Sequence, residues 1–387
     1  MGSNFICLGE IANLSSGGTP SKRRGDYWGG SIPWVSAKSM DADRLNSNLL
    51  FITEEGLEAG SRLAPSGSIL LLTRGSGLFN RIPVIWIDAP LAFNQDIKCI
   101  TAKDPLETRY VYHWLCSQRE HLSKILDVTG IGAGKINTDQ LLSLDMFWPD
   151  YSTRRKIVAI ADSLVKKLMI NQEENDYLAE IADALFADAF GNLEDNAVLS
   201  DIANITMGQS PAGTSYNEEG VGTVFYQGRG EFGWRYPTRR LFTTEPKRMA
   251  KSGDVLMSVR APVGDLNLAY EDCCIGRGLV AISCDYPSYC LYLMRSLGKK
   301  LDAYNGEGTV FGSISGKALK GIGIGLPGND DIAAFEAMVA PIDAQIRCNE
   351  TESRILSQLR DALLPKLMSG EIDVSKVDLT RLNNHFA

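Results

Sequence analysis

Two stretches of this chain gather side chains that grip anions. Residues 17–38, GGTPSKRRGDYWGGSIPWVSAK, set Lys22, Arg23, Arg24 and Lys38 around Tyr27, Trp28 and Trp34. Residues 227–240, QGRGEFGWRYPTRR, set Gln227, Arg229, Arg235, Arg239 and Arg240 around Phe232, Trp234 and Tyr236. A guanidinium holds phosphate or pairs bidentately with the outer edge of guanine, while Gln and Ser adapt as donor or acceptor. Glycine-rich basic loops of this kind suit the reading of a nucleic-acid groove. The plainer reading of any single residue here is a solvated loop whose aromatics fold into the core.

Other chemistry is missing. The three histidines, His113, His121 and His385, fall outside every repeated motif, so a Ser/His/Asp or Cys/His site present in both halves is excluded. GAGK (132–135) has Thr129 where a phosphate loop needs its first glycine, and Ile136 where it needs Ser or Thr. GIGIG (321–325) is not GxGxxG and runs into Leu326-Pro327 rather than a helix. Eight cysteines contain no CxxC, and vicinal Cys273-Cys274 reads as a pair of core thiols on a strand. The expectation is a chain without catalysis, metal or cofactor.

Charge is unevenly spread. The net charge is −8 over 387 residues. Residues 1–150 carry 14 basic and 16 acidic side chains, and 197–330 carry 14 and 13, so the two long segments are near neutral. The acidity sits in 151–196 and 331–387, which leaves room for a polyanion on the long segments. No apolar run reaches the ~18 residues of a membrane span and no secretion signal begins the chain, so a cytoplasmic protein is expected.

The elements that must position these loops occur twice. LGEIANLSSGGTP (8–20) repeats as LSDIANITMGQSP (199–211), and APSGSILLLTRGS (64–76) as AKSGDVLMSVRAP (250–262). GKINTDQLLSLDMFWP (134–149) repeats as GSISGKALKGIGIGLP (312–327). Arg74 and Arg260 hold one repeat position, and so serve the fold or a phosphate contact common to both halves. Short apolar runs bounded by Gly, Pro, Ser and Asp predict strand-rich α+β domains. Between them, 150–190 lacks Gly and Pro and predicts a long helix, with Ile157, Ala161, Leu164 and Leu168, then Leu178, Ala182, Leu185 and Ala189, on one stripe. The second such stripe runs Phe335, Val339, Ile342, Ile346, Leu356, Leu363; Pro341 should kink it and Pro365 distort its end.

The conjunction of GGTPSKRRGDYWGGSIPWVSAKSM, PSGSILLLTRGS and GAGKINTDQLLSLDMFWP before a long helix, all repeated and closing on LLPKLMSGEI, resembles the specificity (S) subunit of type I restriction–modification enzymes. The resemblance implies two target-recognition domains, 1–150 and 193–328, and spacer helices 151–192 and 329–372 before a tail, 373–387. The implied fold is α+β: two duplicated mixed α/β domains joined by an antiparallel coiled coil with pseudo-two-fold symmetry. Its implied partners are double-stranded DNA, read as a bipartite site, two methyltransferase subunits and any restriction subunits. A departure is visible before each helix, where PDYSTRRKI and PGNDDIAAF stand in place of the family's usual Glu-Gln pair. On this reading the DNA-facing set is Lys22, Arg23, Arg24, Tyr27, Lys38, Arg74, Gln227, Arg229, Arg235, Tyr236, Arg239, Arg240 and Arg260. The competing classes are a coiled-coil scaffold with protein- or glycan-binding ends, and an enzyme whose chemistry leaves no motif.

Asn171 and Asn349 interrupt the two stripes at equivalent positions near the helix midpoints. In an antiparallel pair, equivalent central residues approach each other, so these two are expected to face one another and fix the register.

Overall fold

The computed structural model describes residues 5–40, 43–46, 49–128, 132–306 and 312–378. His385 and Thr129 lie outside the described residues. Contacts divide the chain into two units: Met1–Ile170 with Glu352–Ala387, and Asn171–Thr351.

In the first unit a four-stranded antiparallel sheet runs in the order Asn13–Ser16, Ile97–Thr101, Ser68–Leu72, Val84–Ile87. Ser68–Leu72 is buried at every position, as a central strand covered on both faces must be. The helix Pro105–Ser117 packs on it, started by proline in its first turn and by Asp104, whose carboxylate accepts the Glu107 amide at 2.8 Å. A second sheet orders Leu50–Ile52, Trp28–Val35, Leu91–Phe93, Leu63–Ala64, and its central pair is parallel.

The second unit repeats this plan. Asn204–Met207, Leu279–Ser283, Val255–Ser258 and Leu266–Leu268 form the antiparallel sheet. A five-stranded sheet holds the parallel pair Thr223–Tyr226 and Cys273–Ile275. The repeated GGTP/GQSP motif has a steric reason. A Cβ on Gly17 would lie 2.0 Å from the Phe93 carbonyl oxygen, and one on Gly208 would lie 2.1 Å from that of Gly276. Only glycine lets the loop pass that close to the other strand.

Two helices, Tyr151–Phe190 and Asn329–Ser369, are each about 40 residues long, and the second continues through Pro341 and Pro365. In the first unit Ile157, Val158 and Ala161 from the start of one helix share a core with Leu364, Leu367 and Met368 from the end of the other. In the second unit Ala182, Phe186 and Phe190 share a core with Ile332, Phe335 and Val339, locked by edge-on ring contacts near 5.5 Å. The two stripes therefore divide their apolar residues between the cores of the units. Asn171, Asn175 and Asn349 are all buried.

Candidate nucleic-acid interface

The first basic loop is held by its own aromatics. Trp28 donates its indole N–H to the Ser21 carbonyl at 3.3 Å and Trp34 to the Gly18 carbonyl at 3.1 Å, and the two rings meet edge-on at 5.2 Å. The tryptophans thus pin the loop to the second sheet. Their anchoring leaves Lys22, Arg23 and Arg24 exposed at its tip. Arg24 forks onto Asp26 (2.9 and 2.6 Å) and stacks over half-buried Tyr27 at 4.6 Å. The Asp26 hydrogen bonds hold the Arg24 guanidinium charged and pull the Asp26 carboxyl below its usual range. Lys38 is exposed after the strand Trp28–Val35.

Arg74 lies directly across a strand pair from Lys135, in the sheet formed by Arg74–Gly75, Gly134–Lys135 and Asp127–Val128. Its repeat-equivalent Arg260 forms an isolated bridge with Ser313. The main chain repeats too: Ile136 donates to Thr73 at 2.9 Å and Ile314 to Val259 at 3.1 Å. Both arginines are exposed. Lys135, part of the GAGK stretch rejected as a phosphate loop, is the cation that motif reading missed. The visible clue is its alignment with Ser313 in the third repeated block.

The second basic loop is built differently. Gln227 is exposed. Arg229 pairs with Asp265 at 2.5 Å, Arg239 forks onto Glu271 (2.5 and 2.8 Å), and Arg240 bridges Glu231 and Glu218 (2.5 and 3.4 Å). These three arginines remain about half exposed. Arg235 and Tyr236, expected on the DNA face, are instead buried. Arg235 is bound to Asp343 of the second long helix at 2.8 Å and to the Tyr292 hydroxyl at 3.4 Å. Tyr236 packs edge-on against Tyr270, and burial pushes its hydroxyl up to about 12. The reason is topological: the Arg235 carbonyl accepts the Leu268 amide at 2.8 Å, which sews this part of the loop onto the core sheet.

Cys273 and Cys274 are buried in the strand Cys273–Ile275, and burial pushes the Cys273 thiol up to about 12, well away from a reactive thiolate. Among the described residues no group of three or more His, Cys, Asp or Glu is placed to hold a metal ion. No helix among them is long and apolar enough to cross a membrane.

Residues 2–180 match the family described as type I restriction modification DNA specificity domain. That stretch takes in the first basic loop, the sheets of the first unit and most of the helix Tyr151–Phe190. The chain is 37% identical over 174 residues to a putative type I restriction enzyme MjaX specificity subunit of Methanocaldococcus jannaschii, covering 44% of this chain and 41% of the relative. It is 30% identical over 187 residues to the EcoR124I/EcoR124II specificity subunit of Escherichia coli, covering 45% and 46%. The aligned stretch spans under half the length of either relative. The crystal structure of a type I restriction–modification S subunit from M. genitalium shares the fold, with a TM-score of 0.57 at 17% identity over 94% of this chain and 95% of that one. The resemblance to type I specificity subunits drawn from the sequence motifs is thus upheld.

Proposed function

We propose that this chain is the DNA-recognition subunit of a type I restriction–modification enzyme, reading a bipartite site and bringing methyltransferase and restriction subunits to it. The observation that carries the reading is the duplication itself: two units that share the order of the antiparallel sheet and the parallel strand pair, each presenting a basic loop beside that pair, before Trp28–Val35 in the first unit and after Thr223–Tyr226 in the second. Half-sites on one face of B-DNA lie about 34 Å apart, and a helix of 40 residues such as Tyr151–Phe190 extends roughly 60 Å. Two long helices forming an antiparallel coiled coil, with pseudo-two-fold symmetry, suit the task of spacing two such readers. Because the loops have diverged while the frames match, the two half-sites differ in sequence.

The DNA-facing set is Lys22, Arg23, Arg24, Tyr27, Lys38 and Arg74 in the first unit, and Gln227, Arg229, Arg239, Arg240 and Arg260 in the second. Arg235 and Tyr236 are left out because neither can reach a base from the core. The chain holds no residues for methyl transfer in this reading, so the chemistry belongs to a methyltransferase subunit working with S-adenosylmethionine in the cytoplasm. The test is selection from a random duplex library by the chain with its methyltransferase partner. Recovery of a split motif with a fixed gap supports the reading. Recovery of one contiguous motif, or methyl transfer by the purified chain alone, overturns it.

A further inference from the structure

Cross-strand neighbours in an antiparallel pair place their side chains on one face, where like charges repel. Arg74 and Lys135 are such a pair. Arg74 is exposed and Lys135 half-buried, and among the described residues neither has a carboxylate within ion-pair distance. The 3-10 turn Ala37–Ser39, which carries Lys38, comes up against the same strand: a Cβ on Gly75 would lie 4.0 Å from the Ala37 Cβ. Arg74 and Lys135 therefore stand side by side in this short sheet, with Asp127 across from Lys135 on its other side but outside ion-pair distance among the described residues. In the second unit Ser313 stands where Lys135 does, so Arg260 faces a hydroxyl. The exposed loop arginines there are each already matched to an acid.

We infer that Arg74 and Lys135 form a clamp for a nucleic-acid backbone phosphate, present in the first unit and absent from the second. The inference rests on the DNA-recognition reading and deepens it. A phosphate set between the two cations relieves their repulsion and accepts hydrogen bonds from both. The ligand is the backbone, so binding there is independent of sequence. The first unit then supplies more of the salt-dependent grip. In the second, arginines tied to Asp265, Glu271 and Glu231 release fewer counterions on binding, because their charge is already compensated.

A random-sequence 30-base-pair duplex is the probe, titrated against the full chain between 50 and 200 mM salt. Each phosphate contact contributes about 0.9 to the slope of log affinity against log salt. Lys135→Ala and Arg74→Ala should each lower the slope by about that much, so that each variant loses about 3.5-fold less affinity than the parent over this range. Ser313→Lys, which installs the missing cation opposite Arg260, should raise the slope by a similar amount. Lys166→Ala, removing one charge from a long helix, should leave it unchanged. Thermal melting checks that Lys135→Ala still folds. If Lys135→Ala and Ser313→Lys both leave the slope at the parent value while the parent binds DNA, the clamp is wrong and DNA recognition stands. If the parent binds no duplex, even with the methyltransferase subunit present, the underlying reading fails.

Discussion

Asn171 donates its side-chain amide to the main-chain carbonyl of Asn349, 178 residues further along the chain, at 3.4 Å. The Asn349 amide in turn donates to the Asn175 side-chain oxygen at 3.0 Å, and Gln345 donates to the Asn349 oxygen at 2.9 Å. Asn175 completes the run by donating to Glu350 at 3.2 Å. Expectation from the repeat was a facing pair of asparagines. The structure holds a relay of five residues in which Asn349 is the centre, because its main-chain carbonyl, side-chain amide and side-chain oxygen are engaged by three different neighbours.

A relay of this kind gives up stability for uniqueness. Asn349→Leu leaves the Asn175 oxygen and the Gln345 amide without their partner. It should cost about 1–3 kcal/mol in chemical denaturation, the range for stranding a buried polar group. Replacing Asn171, Asn175 and Asn349 together by leucine should recover most of that loss. A triple variant less stable than Asn349→Leu would show that the relay is not a unit.

Arg235 should behave as a core residue. Removing one partner of a buried pair strands the other, at about 3–5 kcal/mol. Arg235→Ala should therefore lower unfolding stability steeply, because among the described residues the hydrogen bond left to Asp343 is that from the Tyr292 hydroxyl at 2.9 Å. Arg239→Ala, at a half-exposed fork, should change stability by under about 1 kcal/mol. The reverse order would return Arg235 to the interface.

What could be read in advance follows from the range of the forces. The duplicated motifs were legible because glycines such as Gly17 and Gly208 answer to a steric demand within a single loop and strand. The long helices were legible because capping and apolar spacing are local. Arg235 was not, since its partner Asp343 lies 108 residues away and the same basic loop serves equally well for burial or exposure. Trp28 and Trp34 follow the plainer reading of aromatics folded inward, fastened by carbonyl acceptors only 7 and 16 residues back in the sequence. Lys135 was not legible either, because its cross-strand neighbour Arg74 lies 61 residues earlier and only the strand pairing joins them.

Recognition should be separable by half. Replacing Lys22 and Arg23 by alanine should relax preference in one half-site, and replacing Arg239 and Arg240 should relax it in the other. The expected cost is about 1–3 kcal/mol for each base-reading arginine. Competition between duplexes altered in one half or the other measures this. Equal response of both halves to either pair of substitutions would refute the assignment of one loop to each half-site.

The last expectation concerns pH. His113 is buried, and its Nε2 lies 2.6 Å from Asp162, which also accepts from Arg109 at 2.7 Å. Burial pulls the His113 pKa below its ordinary value, against the opposing pull of Asp162, so the folded chain holds a neutral imidazole. Burial alone would raise the Asp162 carboxyl, but the hydrogen bonds from His113 and Arg109 and the Arg109 charge outweigh it and pull that group below its ordinary value. The unfolded chain protonates histidine near pH 6.5. Below that value the unfolded state takes up a proton the folded state resists, and stability falls by up to about 1.4 kcal/mol per pH unit until the folded pKa is reached. Above it the contribution is flat. Asp162 acts in a lower window, losing its contribution only as pH drops below about 3.9. His113→Gln keeps a donor for Asp162 and cannot titrate, so denaturation midpoints of the two proteins should converge between pH 8 and pH 5. A gap that stays constant across that interval would mean that the imidazole does not couple to folding, and one that widens as pH falls would mean that it is charged in the folded chain.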